Sequence, residues 1–68
     1  MSIGTRIRQK RFEIGITQEK LALKCGWESA RGRISNYELD LHTPKLKDIQ
    51  KLAKALNVEP QWLIFGND

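Results

Sequence analysis

The chain has 68 residues, twelve Lys or Arg against eight Asp or Glu, and a formal net charge of +4. A chain this short makes one small domain at most and buries only about 60% of the surface its unfolded form exposes, which excludes a two-domain enzyme with a deep cleft. Its single cysteine, Cys25, excludes an intramolecular disulfide and fits a reducing cytosol, and no apolar run approaches the ~20 residues that span a bilayer.

The apolar spacing is helical throughout and nothing argues for a sheet, so an all-α fold is expected. Ser2 is a natural N-cap for a helix over 3–14, with Ile3, Ile7 and Ile14 on one face and Phe12 at its edge. Gly15 stands where a left-handed residue ends such a helix. Thr17 offers a second cap, for a helix over 17–25 that lines its inner side with Leu21, Ala22 and Cys25 and stops at Gly26. Ser29 can cap a third helix over 29–39, in which Ala30, Ile34, Tyr37 and Leu41 share a narrow arc at about 100° per residue. The stretch from Asp40 to Pro44 reads as a loop. A fourth helix over 46–56 turns Leu46, Ile49, Leu52, Ala53 and Leu56 inward and Lys47, Lys51 and Lys54 outward, and Asn57 ends it. Pro60 suits the first turn of a last helix over 60–65, which carries Trp62, Leu63 and Phe65 and closes at Gly66. Residues 1–68 thus read as one domain of five helices.

Charge is uneven along this frame. Residues 1–34 hold Arg6, Arg8, Lys10, Arg11, Lys20, Lys24, Arg31 and Arg33 against Glu13, Glu19 and Glu28, for +5; the remainder carries −1. A basic half suits a polyanionic partner, although charge alone is equally consistent with a solvated surface. The stretch from Thr17 to Leu39 is more specific: helix, glycine-containing turn, helix. Opposite the apolar arc of the second of these helices come Gly32, Ser35 and Asn36, flanked by Arg31 and Arg33. The DNA major groove admits one α-helix, where arginine reads guanine and asparagine reads adenine, each with two hydrogen bonds. An ordinary solvated face would carry a mixture of Glu and Lys instead.

The runs Gly15-Ile-Thr-Gln-Glu-Lys-Leu-Ala-Leu-Lys-Cys-Gly26, Ile34-Ser-Asn-Tyr-Glu38, Thr43-Pro-Lys-Leu46 and Leu52-Ala-Lys-Ala-Leu-Asn-Val58 resemble the phage-repressor type of helix-turn-helix domain, the lambda/434 repressor and Cro-like or xenobiotic-response-element family. The resemblance covers about residues 4–66. It implies a compact, five-helix, lambda-repressor-like fold with the helix-turn-helix in helices 2 and 3. It also implies a bacterial, cytoplasmic, nucleoid-associated transcriptional repressor that binds double-stranded DNA at a pseudo-palindromic operator as a homodimer. The ending Trp62-Leu-Ile-Phe-Gly-Asn-Asp68 resembles the point where many such repressors pass to a C-terminal dimerisation domain; a complete Cro-like regulator is the other possibility. An antitoxin of the same fold is the alternative reading.

On this reading Arg31, Gly32, Arg33 and Asn36 face bases. Thr17, Gln18, Ser35, Tyr37, Lys10, Lys45 and Lys47 meet phosphates, with Tyr37 chiefly a core anchor. Arg11 and Glu38 match a structural salt bridge between helices 1 and 3. The seven residues from Trp27 to Arg33 are two more than the family commonly has between turn glycine and isoleucine, which leaves the base-facing register of 27–33 open. Gly32 costs a helix about 1 kcal/mol relative to alanine, so it either allows close approach to a base edge or still belongs to the turn. Trp27 is expected to cover the core edge, and Trp62 to close the last helix. Catalysis is not expected: His42 is the only histidine, and Ser35, Asp40 and His42 form no nucleophile elbow. Cys25 and His42 are too few for zinc, and neither a metal nor another cofactor is implied.

Overall fold

The computed structural model describes residues 2–28 and 30–66, and among these every regular element is a helix: α1 (Ile3–Ile14), α2 (Gln18–Lys24), α3 (Arg31–Glu38), α4 (Leu46–Leu56) and α5 (Pro60–Phe65). The starts of α1 and α2 follow from side-chain capping. Ser2 Oγ accepts from the Thr5 amide while Thr5 Oγ1 accepts from the Ser2 amide, a reciprocal capping box, and Thr17 Oγ1 accepts from the Lys20 amide at 3.0 Å. Gly15 ends α1 at φ +85°, where its N–H and that of Ile16 both return to the Arg11 carbonyl. Ser29, the expected cap of the third helix, lies outside the described residues. Ala30 occupies the cap position of α3 and offers no side-chain hydrogen bond.

Ile7, Leu21, Ile34, Leu52, Leu56 and Leu63 are the largest fully buried side chains, so every helix sends at least one into a common core. Ala22, Cys25, Trp27, Tyr37, Ile49 and Ala53 complete it. Burial pushes the Cys25 thiol up to about 11, as expected of a sulfur held among apolar groups. Trp27 covers the core edge and Trp62 packs against it half-buried.

Several apolar residues of the helices are exposed, among them Leu41 and Leu46, which the helical spacing places inside. Ile14 is 44% exposed at the last residue of α1, just before the chain turns away. Leu41 is 66% exposed because α3 ends at Glu38 and Asp40 takes a left-handed φ of +61°, which breaks the helical arc drawn through it. Leu46 opens α4, ahead of the turns that pack, and Phe65 is turned away from the core beside the buried Leu63.

The inner side of α1 is mostly not apolar. Its buried residues are Gly4, Arg6, Ile7 and Arg11. Arg6 donates to the carbonyls of Leu63 and Ile64, at 2.8 and 2.7 Å, and so ties α1 to the end of α5. Gly4 lets α1 approach the end of α3. A Cβ there would fall 2.6 Å from Asp40 Oδ1 and closer still to the Tyr37 carbonyl. Asp40 uses that proximity: its carboxylate accepts from Ser2 Oγ at 2.7 Å and from the otherwise unpaired Gly4 amide at 3.3 Å. A methyl at position 4 collides with backbone, which has no rotamer to adopt. Gly4→Ala is therefore expected to destabilise the domain by about 1–3 kcal/mol despite its better helix propensity, read as a lowered midpoint in thermal unfolding.

Candidate nucleic-acid interface

The helix that follows the turn is braced on two flanks. On one, Arg11 of α1 grips Glu38 of α3 with two hydrogen bonds, Nε to Oε2 at 2.7 Å and Nη2 to Oε1 at 3.0 Å. The remaining Arg11 nitrogen, Nη1, donates to the Ile16 carbonyl at 2.9 Å. Gln18, the first residue of α2, donates its amide to Glu38 Oε1 at 3.1 Å. Both charged side chains are under 10% exposed, at 9% and 3%. A fork-to-fork pair in which all three guanidinium nitrogens donate is the arrangement in which buried charge is tolerated.

On the other flank stands Arg33. The sequence places it at a base edge; in the structure its guanidinium is engaged within the chain, with the side chain 38% exposed. Its Cζ lies 3.8 Å from the Trp27 ring centre, its Nε donates to the Tyr37 hydroxyl at 3.0 Å, and its Nη2 donates to Asp48 of α4 at 2.7 Å. The reason is helical geometry: Arg33 and Tyr37 are four residues apart and so share a flank, and Tyr37 faces inward. Tyr37 is 7% exposed and its hydroxyl oxygen is engaged by Arg33, so it serves as an anchor.

Between the two flanks the outer face of α3 is bare. Arg31 is exposed, Asn36 is half-exposed, and among the described residues neither side chain has a partner. Gly32 lies within the helix and not in the turn, and a Cβ added there would meet nothing within 4 Å. The fold therefore does not require glycine at 32. Ser35 is half-exposed and lines a groove with Arg8, Arg11, Gln18, Glu38 and Leu39; a neighbouring groove joins Thr17, Gln18, Glu19 and Arg31. The start of α2 and the outer side of α3 thus form one surface.

Arg8 belongs to that surface and the sequence reading passed over it. Its guanidinium rests 5.3 Å from the exposed Phe12 ring. The available signal was its spacing: three residues before Arg11, it shares the flank of α1 that meets α3. Lys10, expected at a phosphate, is on the opposite flank. It bonds Glu13 at 3.0 Å, lies 5.5 Å from the Trp62 ring centre and lines a groove against α5. Lys45 and Lys47 are exposed at the start of α4. Among the described residues no cluster of His, Cys, Asp or Glu suits a metal ion, and no helix is long and apolar enough to cross a membrane.

Two short helices joined by the turn through Gly26, the second held on both sides and bare outward, define a helix-turn-helix module. The chain belongs to the helix-turn-helix family, whose model matches residues 7–63. It is 34% identical over its whole length to the HTH-type transcriptional regulator ImmR of Bacillus subtilis, and spans 51% of that relative. It is 37% identical over 62 residues to the control protein C.BamHI of Bacillus amyloliquefaciens, covering 90% of this chain and 74% of the relative. Its fold superposes on the P22 c2 repressor, solved in complex with a synthetic operator, with a TM-score of 0.90 at 30% identity and 98% coverage of both chains. The chain spans about half the length of the first curated relatives it matches.

Truncating Glu38 to alanine leaves Arg11 buried without its counter-charge. A loss of about 3–5 kcal/mol is expected, a large part of the stability of so small a domain. Chemical denaturation of Glu38→Ala against wild type measures it; a midpoint equal to wild type would show that the pair contributes nothing.

Proposed function

We propose that residues 1–68 act as the sequence-specific DNA-binding domain of a transcriptional repressor, reading the major groove with α3. One observation carries the reading: every flank of α3 is occupied by intramolecular contacts except the one that presents Arg31, Gly32 and Asn36. Arg31 suits a guanine edge and Asn36 an adenine edge. Gly32 offers clearance for the helix backbone to approach a base. Thr17, Gln18, Ser35, Lys45 and Lys47 are assigned to the phosphates, with Arg8 added from its place beside Gln18 and Ser35. Phosphate contacts set register and most of the affinity, while the base contacts discriminate.

The P22 c2 repressor, similar over nearly the whole chain, was solved on an operator, which supports double-stranded DNA as the partner. On a pseudo-palindromic site a homodimer would set two α3 helices about 34–36 Å apart, one helical turn of DNA. The working compartment is then the bacterial cytoplasm.

Selection of bound sequences from random duplexes tests the assignment, and recovery of no motif would sink it. On the selected site, Asn36→Ala is expected to cost about 1–3 kcal/mol and to relax preference at one base pair, with little change on random DNA. Gly32→Ala gives a pair of opposed outcomes. The added methyl meets open space in the free protein and improves helix propensity, so the melting point should rise, by up to about 1 kcal/mol in stability. Affinity for the selected duplex should fall. A variant that is both more stable and an equal binder would remove Gly32 from the interface.

A further inference from the structure

Arg33 sits between α3 and α4, and its ring and hydrogen-bond partners are residues of this chain. One guanidinium stacks on Trp27 from the lengthened turn, bonds Tyr37 in α3 and pairs with Asp48 in the first turn of α4. Trp27 and Asp48 are themselves buried, at 8% and 5% exposure, and the Trp27 and Tyr37 rings meet edge to face at 6.3 Å. Only a planar fork stacks on a ring and donates in its own plane at once; an ammonium does not. α3 packs chiefly on α1 and α2, so this cluster is its tie toward α4. It also anchors the beginning of a helix whose cap residue, Ala30, supplies no side-chain hydrogen bond.

We propose that Arg33 is the positioning residue of the reading helix: through Trp27, Tyr37 and Asp48 it fixes the angle at which α3 presents Arg31, Gly32 and Asn36, and it touches no base itself. The inference rests on the DNA-reading assignment above. A brace already closed in the free protein removes part of the ordering cost of docking, and it does so only for a site whose base edges match that one angle. Its loss therefore falls on discrimination more than on general affinity.

The charge of Asp48 makes the test decisive in sign. Removing a carboxylate from a DNA-binding domain strengthens binding to every duplex by electrostatics alone. Removing a brace weakens binding to the matched site. Affinities of wild type, Arg33→Lys, Asp48→Ala and the double variant are measured on the duplex selected by wild type and on a random duplex, with thermal melts alongside. Each single change is expected to lower the selected-to-random ratio by on the order of tenfold, and the double variant to lose no more than the worse single, since both break one link. If Arg33→Lys loses preference while Asp48→Ala keeps or raises the ratio, Arg33 reads a base and the proposal is overturned. If wild type selects no sequence, the DNA-reading assignment fails first and the proposal with it. Should Asp48→Ala not fold, Tyr37→Phe removes only the hydroxyl that accepts from Arg33 Nε. Its ratio should drop by at least about threefold, and an unchanged ratio overturns the proposal equally.

Discussion

A guanidinium and a carboxylate held out of water where α1, α2 and α3 meet is the constraint around which the domain is arranged. Such a pair is tolerable only when its hydrogen-bonding capacity is met. All three nitrogens of Arg11 donate, two to Glu38 and one to the Ile16 carbonyl, and Gln18 donates to Glu38 as well. Among the described residues no buried side-chain polar atom is left without a partner. The pair thereby fixes three elements at once: the helix that holds Arg11, the turn that supplies Ile16 and the helix that begins at Gln18. A helix of eight residues containing Gly32, Ser35 and Asn36 has little reason to form alone. Its order comes from tertiary ties, of which this is the most buried.

The same logic explains why α1 is polar where it touches the rest of the chain. Ile7 is its one wholly buried apolar side chain, Ile3 packs half-buried, and the other buried positions are Gly4, Arg6 and Arg11. Arg6 satisfies carbonyls at the end of α5, which a helix terminus leaves unpaired. Asp40 does the converse for the first amides of α1. The apolar core is supplied instead by α2 and α4, with Ile34 and Leu63 closing it. The end of α5 and the start of α1 thus each take a side-chain partner from a distant part of the sequence.

Legibility in the sequence followed the range of the interaction. Caps act within four residues, and Ser2, Gly15, Thr17 and Asn57 were readable because of it. The α4 core was readable from its period, apart from Leu46, which no later turn covers. Arg11 and Glu38 were readable only through family resemblance, since nothing local marks a pair 27 residues apart. The partners of Arg33 were not legible, because a helical wheel gives the flank of a residue and not what stands opposite that flank; Asp48 lies fifteen residues on. The place of Lys10 against Glu13 and Trp62 was hidden for a similar reason: a basic half is a property of the chain, whereas neighbours on one helix point to different partners. Gly4 and Arg6 gave no sign, because their reasons are a carbonyl in α3 and carbonyls in α5.

The result is a division of labour around one short helix. Glu38 and Ile34 attach α3 to the fold, and Arg33 and Tyr37 fix it from the other side. The side chains of Arg31 and Asn36 make no hydrogen bond or ion pair within the described chain, and a Cβ at Gly32 would meet open space, so these positions contribute little to holding it there. Residues with no folding duty are free to vary without unfolding the domain, and in a reading helix such variation changes the sequence that is read. The attaching residues have the opposite character. On the proposed DNA-reading role, a change among them shifts the whole presented face and so alters preference at several base pairs together. A domain built this way acquires a new target by altering the outer face of α3, provided that the clamps on its flanks are left as they are.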